Sequence, residues 1–140
     1  MSLGKLVNVQ TSSNESGSLS FFEVKDDFPF EIKRVYYIYN VDKNIVRGNH
    51  AHKKLKQMLW CPHGKIKITL DDGKSVKTYI LDEPVKALFV SEGIWRKMQW
   101  LEDKSVLCVA ASELYLEADY IRDYDEFIHM VNEGYWPNEN

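Results

Sequence analysis

Cysteine is scarce in this chain, because only Cys61 and Cys108 occur among its 140 residues. Each lies within an apolar stretch, and the two do not form a CxxC pair. The small number and the apolar surroundings argue against a disulfide framework. We therefore expect two buried free thiols.

Long apolar runs and blocks of basic residues are also missing. No apolar run approaches the roughly 20 residues of a membrane helix, and the N-terminus lacks the charged-then-apolar order of a secretory signal. The 18 basic and 21 acidic residues are spread along the chain and give a formal charge of −3. We therefore expect a cytoplasmic protein with neither a membrane nor a nucleic acid as partner.

The composition is that of a folded domain. Hydrophobic residues make up 44% of the chain and charged residues 28%, which is too apolar for a disordered protein. A length of 140 residues is typical of one domain with its own core. We therefore predict that residues 1–140 form a single domain.

Short strand-like segments dominate the hydrophobic pattern. The clearest alternation places Ile66, Ile68 and Leu70 on one face of a half-solvated strand. Asp71–Lys74 follows as a hairpin turn, since Asp-Gly tolerates the positive φ values of tight connections. The predicted strands lie near Lys5–Val9, Leu19–Val24, Lys33–Asn40, Gly48–His52, Lys56–Cys61, Lys65–Leu70, Ser75–Leu81, Ala87–Val90 and Val106–Ser112.

Only the C-terminus shows helical spacing. Tyr124, Phe127, Ile128 and Val131 lie on one helical face after an acidic stretch that begins at Asp123. Many short strands with one terminal helix favour an all-β barrel or sandwich of antiparallel strands.

The chemistry is expected around a pair of histidines. His50 and His52 are two residues apart on a predicted strand, so both imidazoles point to the same face. A lone histidine is usually structural, but a pair flanked by Arg47 and Lys53 favours a functional site. The pair can serve one small molecule or one metal ion.

The spacing around this pair resembles the cupin superfamily. Its first motif is His-x-His, four residues, Glu, six residues, Gly; here His50, His52, Gln57 and Gly64 occupy that frame, with Gln in place of Glu. In the second motif, Arg96 stands where the last metal-binding His would be. The resemblance implies a cupin-type jelly-roll barrel.

The two departures from the cupin motifs argue against a metal site. Arg96 keeps its charge and has no lone pair to donate, so it would repel a cation. Gln57 removes the anionic ligand, and the two remaining histidines are too few for a site of about four ligands. We therefore expect no metal and no cofactor, and histidines that move protons.

A second pattern is matched over nearly the whole chain by six stretches, which are Gly17–Leu19, Ile32–Tyr37, Arg47–Leu55, Gly93–Arg96, Ala111–Tyr115 and Glu117–Tyr124. These stretches resemble the WxcM-like sugar 3,4-ketoisomerases that act on dTDP-4-keto-6-deoxyhexoses. The resemblance implies that the carbonyl of a dTDP-linked 4-keto sugar moves from C4 to C3, and that the assembly is a homodimer with exchanged N-terminal strands. Lys97, Ser18, Ser20 and Pro62-His63 depart from the family pattern.

The resemblance also implies catalytic roles. His50 would carry the proton from C3 to C4 through an enediol or enediolate, since an imidazole accepts and releases protons near neutrality. His52 would orient His50 or polarise a sugar oxygen. Arg96 and the Tyr36 hydroxyl would stabilise the developing negative charge. Tyr36 can instead be a core residue, and the two histidines can exchange roles.

Substrate binding is assigned to four further residues. Arg34, Arg47 and Lys53 are candidates for the diphosphate, with surface solvation as the alternative for each. Gln57 is predicted to lie inward, where a buried amide needs partners and could hold the imidazoles.

Three rival functions stay open at this point. In a metal-dependent cupin enzyme, His50 and His52 would be ligands. A nucleotide-sugar 3,5-epimerase would also remove protons beside a ketone, and a sugar-binding module would catalyse nothing. The sequence leaves the configuration of the product at C4 undetermined.

Overall fold

The structure, a computed structural model, describes residues 3–25 and 28–137. These residues form twelve strands, one 3₁₀ turn and one α-helix. The strands are β1 (Lys5–Asn8), β2 (Gln10–Asn14), β3 (Gly17–Phe21), β4 (Arg34–Ile38), β5 (Val46–His52), β6 (Gln57–His63), β7 (Ile66–Asp71), β8 (Val76–Leu81), β9 (Lys86–Val90), β10 (Trp95–Trp100), β11 (Val106–Ala111) and β12 (Tyr120–Ile121). The 3₁₀ turn spans Glu117–Asp119, and helix α1 spans Tyr124–Asn132.

Two five-stranded antiparallel sheets enclose the main core. The first has the order β1-β9-β6-β11-β4, and the second β12-β5-β10-β7-β8. One cluster of buried side chains joins both sheets, for example Leu59 and Val109 from the first with Ile68 and Trp100 from the second. Each such side chain contributes about 1.5 to 3 kcal/mol by leaving water. The predicted all-β fold with a C-terminal helix is confirmed.

The elements with the clearest patterns form as expected. Ile66, Ile68 and Leu70 are buried on β7, and their neighbours face outward. The hairpin from β7 to β8 contains Gly73 at a φ of 93°, and Asp72 accepts hydrogen bonds from the turn amides. Helix α1 begins after Asp123, whose side chain caps two backbone N–H groups.

Three strands were not predicted, namely β2, β10 and β12, and β12 is only two residues long. β10 pairs with both β5 and β7 in the middle of the second sheet, and its inward positions carry Arg96, Met98 and Trp100. Because Arg96 is charged, the inward positions of β10 do not read as an apolar alternation in the sequence. β2 is Gln-Thr-Ser-Ser-Asn and is exposed along its length, so it has no apolar face to detect.

The N-terminal strands differ in their attachment. β1 pairs with β9 of the same chain, whereas β2 and β3 pair only with each other within the described residues. Cys61 is buried, as expected, while Cys108 is only half-buried, and both are free thiols. In residues 3–25 and 28–137, no helix is long and apolar enough to cross a membrane.

Candidate active site

A cavity of about 480 Å³ lies where the open ends of the two sheets meet. β4 is the last strand of the first sheet, and β5 and β12 form the corresponding edge of the second. The cavity is therefore walled by both sheets and by the segment that follows β11. Its lining residues are Arg34, Tyr36, Ile38, Arg47, Gly48, His50, Met98, Tyr115, Tyr120 and Arg122.

The two histidines lie side by side on β5. His50 lines the cavity, and His52 is fully buried behind it at 0% exposure. Their ring centroids are 4.9 Å apart, and the rings meet at 84°. β5 is irregular just before His50: Gly48 has a φ of 91°, and a Cβ there would lie 3.1 Å from the Arg96 carbonyl oxygen. Glycine thus lets β5 bend close to β10.

Burial keeps both imidazoles neutral. It lowers the pKa of His50 to about 4, with a further lowering from the nearby Arg96 cation. Burial, followed by Arg96 and His50, lowers the pKa of His52 well below its usual value. Neutral imidazoles are the forms that can accept a proton, so the pair is suited to act as bases at pH 7.

His52 contacts a carboxylate that the sequence reasoning missed. Asp119 Oδ2 lies 3.0 Å from His52 Nδ1, in the 3₁₀ turn between β11 and β12. The same carboxylate accepts hydrogen bonds from the backbone N–H groups of Lys54 at 2.8 Å and Leu55 at 3.4 Å.

A second buried chain of hydrogen bonds ends at the cavity. Arg96 Nη1 donates to Gln57 Oε1 at 2.5 Å, and Gln57 Nε2 donates to the Tyr36 hydroxyl at 2.9 Å. Because Gln57 donates to it, the Tyr36 oxygen can direct its own O–H toward the cavity. Burial raises the pKa of Tyr36, which keeps that proton in place.

Cations and aromatic rings surround the mouth of the cavity. The Arg34 guanidinium lies 5.0 Å from the centre of the Tyr36 ring, and that of Arg122 lies 4.3 Å from the Tyr120 ring. Arg122 also forms two hydrogen bonds with Glu117, at 2.7 and 3.0 Å. Such contacts hold flat guanidinium groups in place without using all their donors.

The predicted site residues fall into three groups. Four of them line the cavity, namely His50, Tyr36, Arg34 and Arg47. His52, Gln57 and Arg96 are buried behind this lining, so in this structure Arg96 supports Gln57 rather than facing the cavity. Lys53 is not among the lining residues.

Several cavity residues were not singled out from the sequence. Tyr120 packs on both imidazoles, with ring centroids 5.0 Å from His50 and 4.4 Å from His52. The sequence signal for these residues is the stretch 117–124, which resembles the family although its pattern alone indicates no role for any residue in it. The residues missed are Tyr115, Glu117, Asp119, Tyr120 and Arg122.

The donor set of the site contains mostly nitrogen and hydroxyl groups. Across the described ranges, 3–25 and 28–137, no group of three or more His, Cys, Asp or Glu side chains is placed to hold a metal ion. The arrangement can accept protons at His50 and donate a hydrogen bond from Tyr36, with cations at the mouth.

Comparison with protein families assigns the chain. The model of the family described as FdtA, WxcM-like, C-terminal matches residues 3–132. The chain belongs to this family. It is 42% identical over 136 residues to the TDP-4-oxo-6-deoxy-alpha-D-glucose-3,4-oxoisomerase of Aneurinibacillus thermoaerophilus, covering 93% of this chain and 98% of that protein.

Solved structures of 3,4-ketoisomerases have the same fold. A 3,4-ketoisomerase from Helicobacter canadensis is 43% identical with a TM-score of 0.88, covering 92% of this chain and 97% of the other. A variant of QdtA from Thermoanaerobacterium thermosaccharolyticum, in complex with TDP-4-keto-6-deoxyglucose, is 41% identical with a TM-score of 0.90, covering 95% and 96%.

A more distant likeness bears on the fold alone. The 4-keto-6-deoxy sugar epimerase NovW of Streptomyces spheroides has a TM-score of 0.73 at 18% identity, covering 84% of this chain and 67% of that chain. The fold is thus shared with an epimerase, whereas the relatives above 40% identity named here are a 3,4-oxoisomerase and two 3,4-ketoisomerases.

Proposed function

We propose that this chain is a 3,4-ketoisomerase that moves the keto group of a dTDP-4-keto-6-deoxyhexose from C4 to C3. The observation that carries the proposal is a neutral imidazole, His50, lining a cavity next to a tyrosine hydroxyl, in a chain 42% identical to a TDP-sugar 3,4-oxoisomerase. The product would serve the biosynthesis of a deoxysugar for a surface polysaccharide or glycoconjugate.

The reaction requires a proton to leave C3 and another to arrive at C4. His50 removes the C3 proton, which leaves an enediolate with its negative charge on O4. The hydroxyl proton of O3 passes to O4, and the imidazolium then returns a proton to C4, so that the carbonyl is now at C3. One imidazole can perform both steps because C3 and C4 are adjacent. The lowered pKa of His50 makes its imidazolium a good acid, so the return step is favoured.

The intermediate carries negative charge on a former carbonyl oxygen. The Tyr36 hydroxyl is placed to donate a hydrogen bond to this substrate oxygen. Gln57 already donates to the Tyr36 oxygen, which leaves the Tyr36 O–H free to point at the substrate. A preorganised donor of this kind contributes about 3 to 4 kcal/mol to the transition state. Arg96 takes part through Gln57 and through the positive potential it adds to a buried site.

The nucleotide would lie across the mouth of the cavity. Arg34 and Arg47 line it, and their guanidinium groups match the oxygens of a diphosphate. Arg122 adds a third cation at the same place. A role for Lys53 in binding stays a prediction.

Catalysis is proposed to need no metal or other cofactor, since Gln57 and Arg96 stand where metal cupins have ligands. The enzyme should keep its full turnover after treatment with EDTA and removal of the chelator. Loss of turnover that one divalent ion restores would instead support a metal-dependent cupin enzyme, with His50 and His52 as ligands.

The central test is incubation with dTDP-4-keto-6-deoxyglucose in deuterated water, followed by NMR of the product. A ketoisomerase gives a 3-keto sugar, with deuterium at C4 to the extent that the imidazole exchanges its proton with solvent. A 3,5-epimerase would leave the ketone at C4 and exchange hydrogen at C3 and C5. A binding module would shift the ligand resonances without any exchange. The same spectrum gives the configuration at C4.

The assembly is proposed to be a homodimer with exchanged N-terminal strands. The β2–β3 hairpin pairs only with itself in the described part of the chain, and Leu19 on it is 62% exposed. A groove of about 510 Å³ beside it is lined by apolar side chains, including Val9, Phe22 and Trp60. A second copy would cover these surfaces. A cytoplasmic location stays a prediction.

A cysteine pair can test the exchange. Lys86 Nζ lies 3.0 Å from Asn8 Oδ1 across the β1–β9 pair, so the two side chains meet. In this structure β1 pairs with β9 of its own chain, so oxidation of the double variant Asn8→Cys/Lys86→Cys should give a covalent dimer on a non-reducing gel only if the exchanged segment includes β1. A covalent monomer would show that β1 stays with its own chain. The unsubstituted chain is the control for Cys61 and Cys108.

A further inference from the structure

The Asp119 side chain ties two segments together behind the candidate active site. It is 9% exposed and lies in the 3₁₀ turn that precedes β12. Its carboxylate accepts from Lys54 N–H and Leu55 N–H, and its backbone oxygen accepts from Lys53 N–H at 2.9 Å. Asp119 therefore has little freedom to move when its fourth partner, His52, changes.

This contact determines which nitrogen of His52 carries the hydrogen. An ionised carboxylate only accepts hydrogen bonds, so Nδ1, 3.0 Å from Asp119 Oδ2, must be the N–H donor. The neutral ring then has its lone pair at Nε2. That atom is buried and has no hydrogen-bond partner among the described residues.

We propose that Asp119 is a positioning residue that holds His52 in the Nδ1–H tautomer, so that His52 Nε2 presents a lone pair, and no hydrogen, beside His50 and Tyr120. The mechanistic part of this inference rests on the proposed ketoisomerase function, whereas the tautomer itself does not. In this tautomer the resting His52 cannot polarise a sugar carbonyl, because it has no hydrogen to donate from Nε2. That task is left to the Tyr36 hydroxyl.

Asp119→Asn is a sharp test because the two oxygens of Asp119 have different partners. Oδ1 takes the short bond from Lys54 N–H, and Oδ2 takes His52 and Leu55. An Asn that keeps its oxygen on Lys54 must present its NH₂ group to His52 Nδ1. The NH₂ group donates, so it forces Nδ1 to accept and moves the hydrogen of His52 to Nε2.

The first measurement is the tautomer of His52, by ¹⁵N NMR of the ligand-free protein labelled at histidine. The signals are assigned by their loss in His52→Gln. We expect Nδ1–H in the unsubstituted protein and Nε2–H in Asp119→Asn. An Nε2–H form in the unsubstituted protein would overturn the proposal, whether or not the variant folds and whether or not the protein is a ketoisomerase.

The second measurement is the kinetics of Asp119→Asn with the dTDP-4-keto sugar. A wrong tautomer should lower kcat by about 100-fold or more and change KM by less than about threefold, since proton transfer and not binding is impaired. Asp123→Asn is the matched control, because Asp123 also accepts from two backbone N–H groups but caps α1 and forms no hydrogen bond with either imidazole. It should retain normal kcat and KM.

The outcomes separate a positioning role from a structural one. If Asp119→Asn has the altered tautomer and nearly normal kcat, proton transfer by His50 does not depend on the tautomer of His52, and the mechanistic part fails. If kcat falls while the Nδ1–H tautomer persists, Asp119 acts by packing alone and the proposal is wrong. Only an altered tautomer together with a selective fall in kcat supports it.

Discussion

The inner end of the cavity and its mouth are built in different ways. At the inner end, His52, Gln57 and Arg96 are buried; Arg96 donates a hydrogen bond to Gln57, and His52 is hydrogen-bonded to Asp119. At the mouth, Arg47 and Arg122 are exposed, and their contacts are with solvent, aromatic faces and an exposed carboxylate. The side chains at the inner end are therefore held in one arrangement, whereas the exposed arginine side chains at the mouth have room to change conformation.

This difference separates two tasks that one substrate imposes. Proton transfer needs fixed distances of about 3 Å, which buried groups held in place by hydrogen bonds provide. Holding a charged diphosphate needs positive charge more than one geometry, which exposed arginines provide. Substitutions at the inner end should therefore lower kcat, and substitutions at the mouth should raise KM.

The largest effect is expected for His50→Asn. Asn keeps some hydrogen bonding and similar size but cannot act as a base, so conversion should fall by about 10³-fold or more, together with exchange of the C3 hydrogen. Binding of a dTDP ligand, measured by calorimetry, should persist. The matched variant His52→Asn should retain slow exchange, because it leaves the His50 imidazole in place.

The opposite result for the two histidine variants would exchange the roles of His50 and His52. Near-normal turnover by His50→Asn with a dead His52→Asn would make His52 the shuttle. Robust activity in both variants would show that neither His50 nor His52 is needed for proton transfer. Substitutions at the inner end would then not lower kcat as expected.

The next effect concerns the hydroxyl that closes the Arg96–Gln57 chain. Tyr36→Phe removes the proposed donor and should lower kcat by about 10² to 10³-fold with little change in KM. Tyr37→Phe is the matched control, since Tyr37 is the next residue on β4 and is 63% exposed on the outer face. Equal losses in the two variants would show that the hydroxyl inside the cavity has no special role.

The sequence predicts the fold better than the site. Alternation on β7, an Asp-Gly turn and helical spacing after Asp123 are local patterns, and the structure forms all three. The contact of Asp119 with His52 joins residues 67 positions apart, and no local pattern records it. Arg96 was recognised by its place in a motif, but its place behind Gln57 depends on how two sheets pack.

The pH dependence of the rate provides a further test of the inner end. Because burial and Arg96 lower the pKa of His50 to about 4, the base stays unprotonated down to about pH 4. At pH 5, kcat/KM should be close to its neutral value, whereas an imidazole with a pKa of about 6.5 would have lost about 30-fold. A fall in kcat/KM that begins near pH 6.5 as the pH is lowered would mean that the His50 imidazole has the pKa of a solvent-exposed histidine.

The fold itself must be monitored in that experiment, because the same pKa shift affects stability. The unfolded chain takes up a proton on this histidine below about pH 6.5, while the folded chain does so only below about pH 4. The free energy of unfolding therefore falls between these two values as the pH is lowered. Circular dichroism at each pH, with activity regained after return to pH 7, separates unfolding from protonation of the base.

The smallest effect is expected at the mouth, from Arg47→Gln. Arg47 is exposed and lines the cavity, so its loss should raise KM for the dTDP sugar by about 10-fold and leave kcat nearly unchanged. Lys74→Gln, in the β7–β8 hairpin, removes the same charge outside the cavity lining and should alter neither constant. The difference between the two variants should shrink at high salt, because exposed charges are screened over about 3 Å at 1 M ionic strength. A fall in kcat with an unchanged KM would mean that Arg47 takes part in proton transfer, as the inner residues do. The expectation that residues at the mouth affect only KM would then be wrong for Arg47.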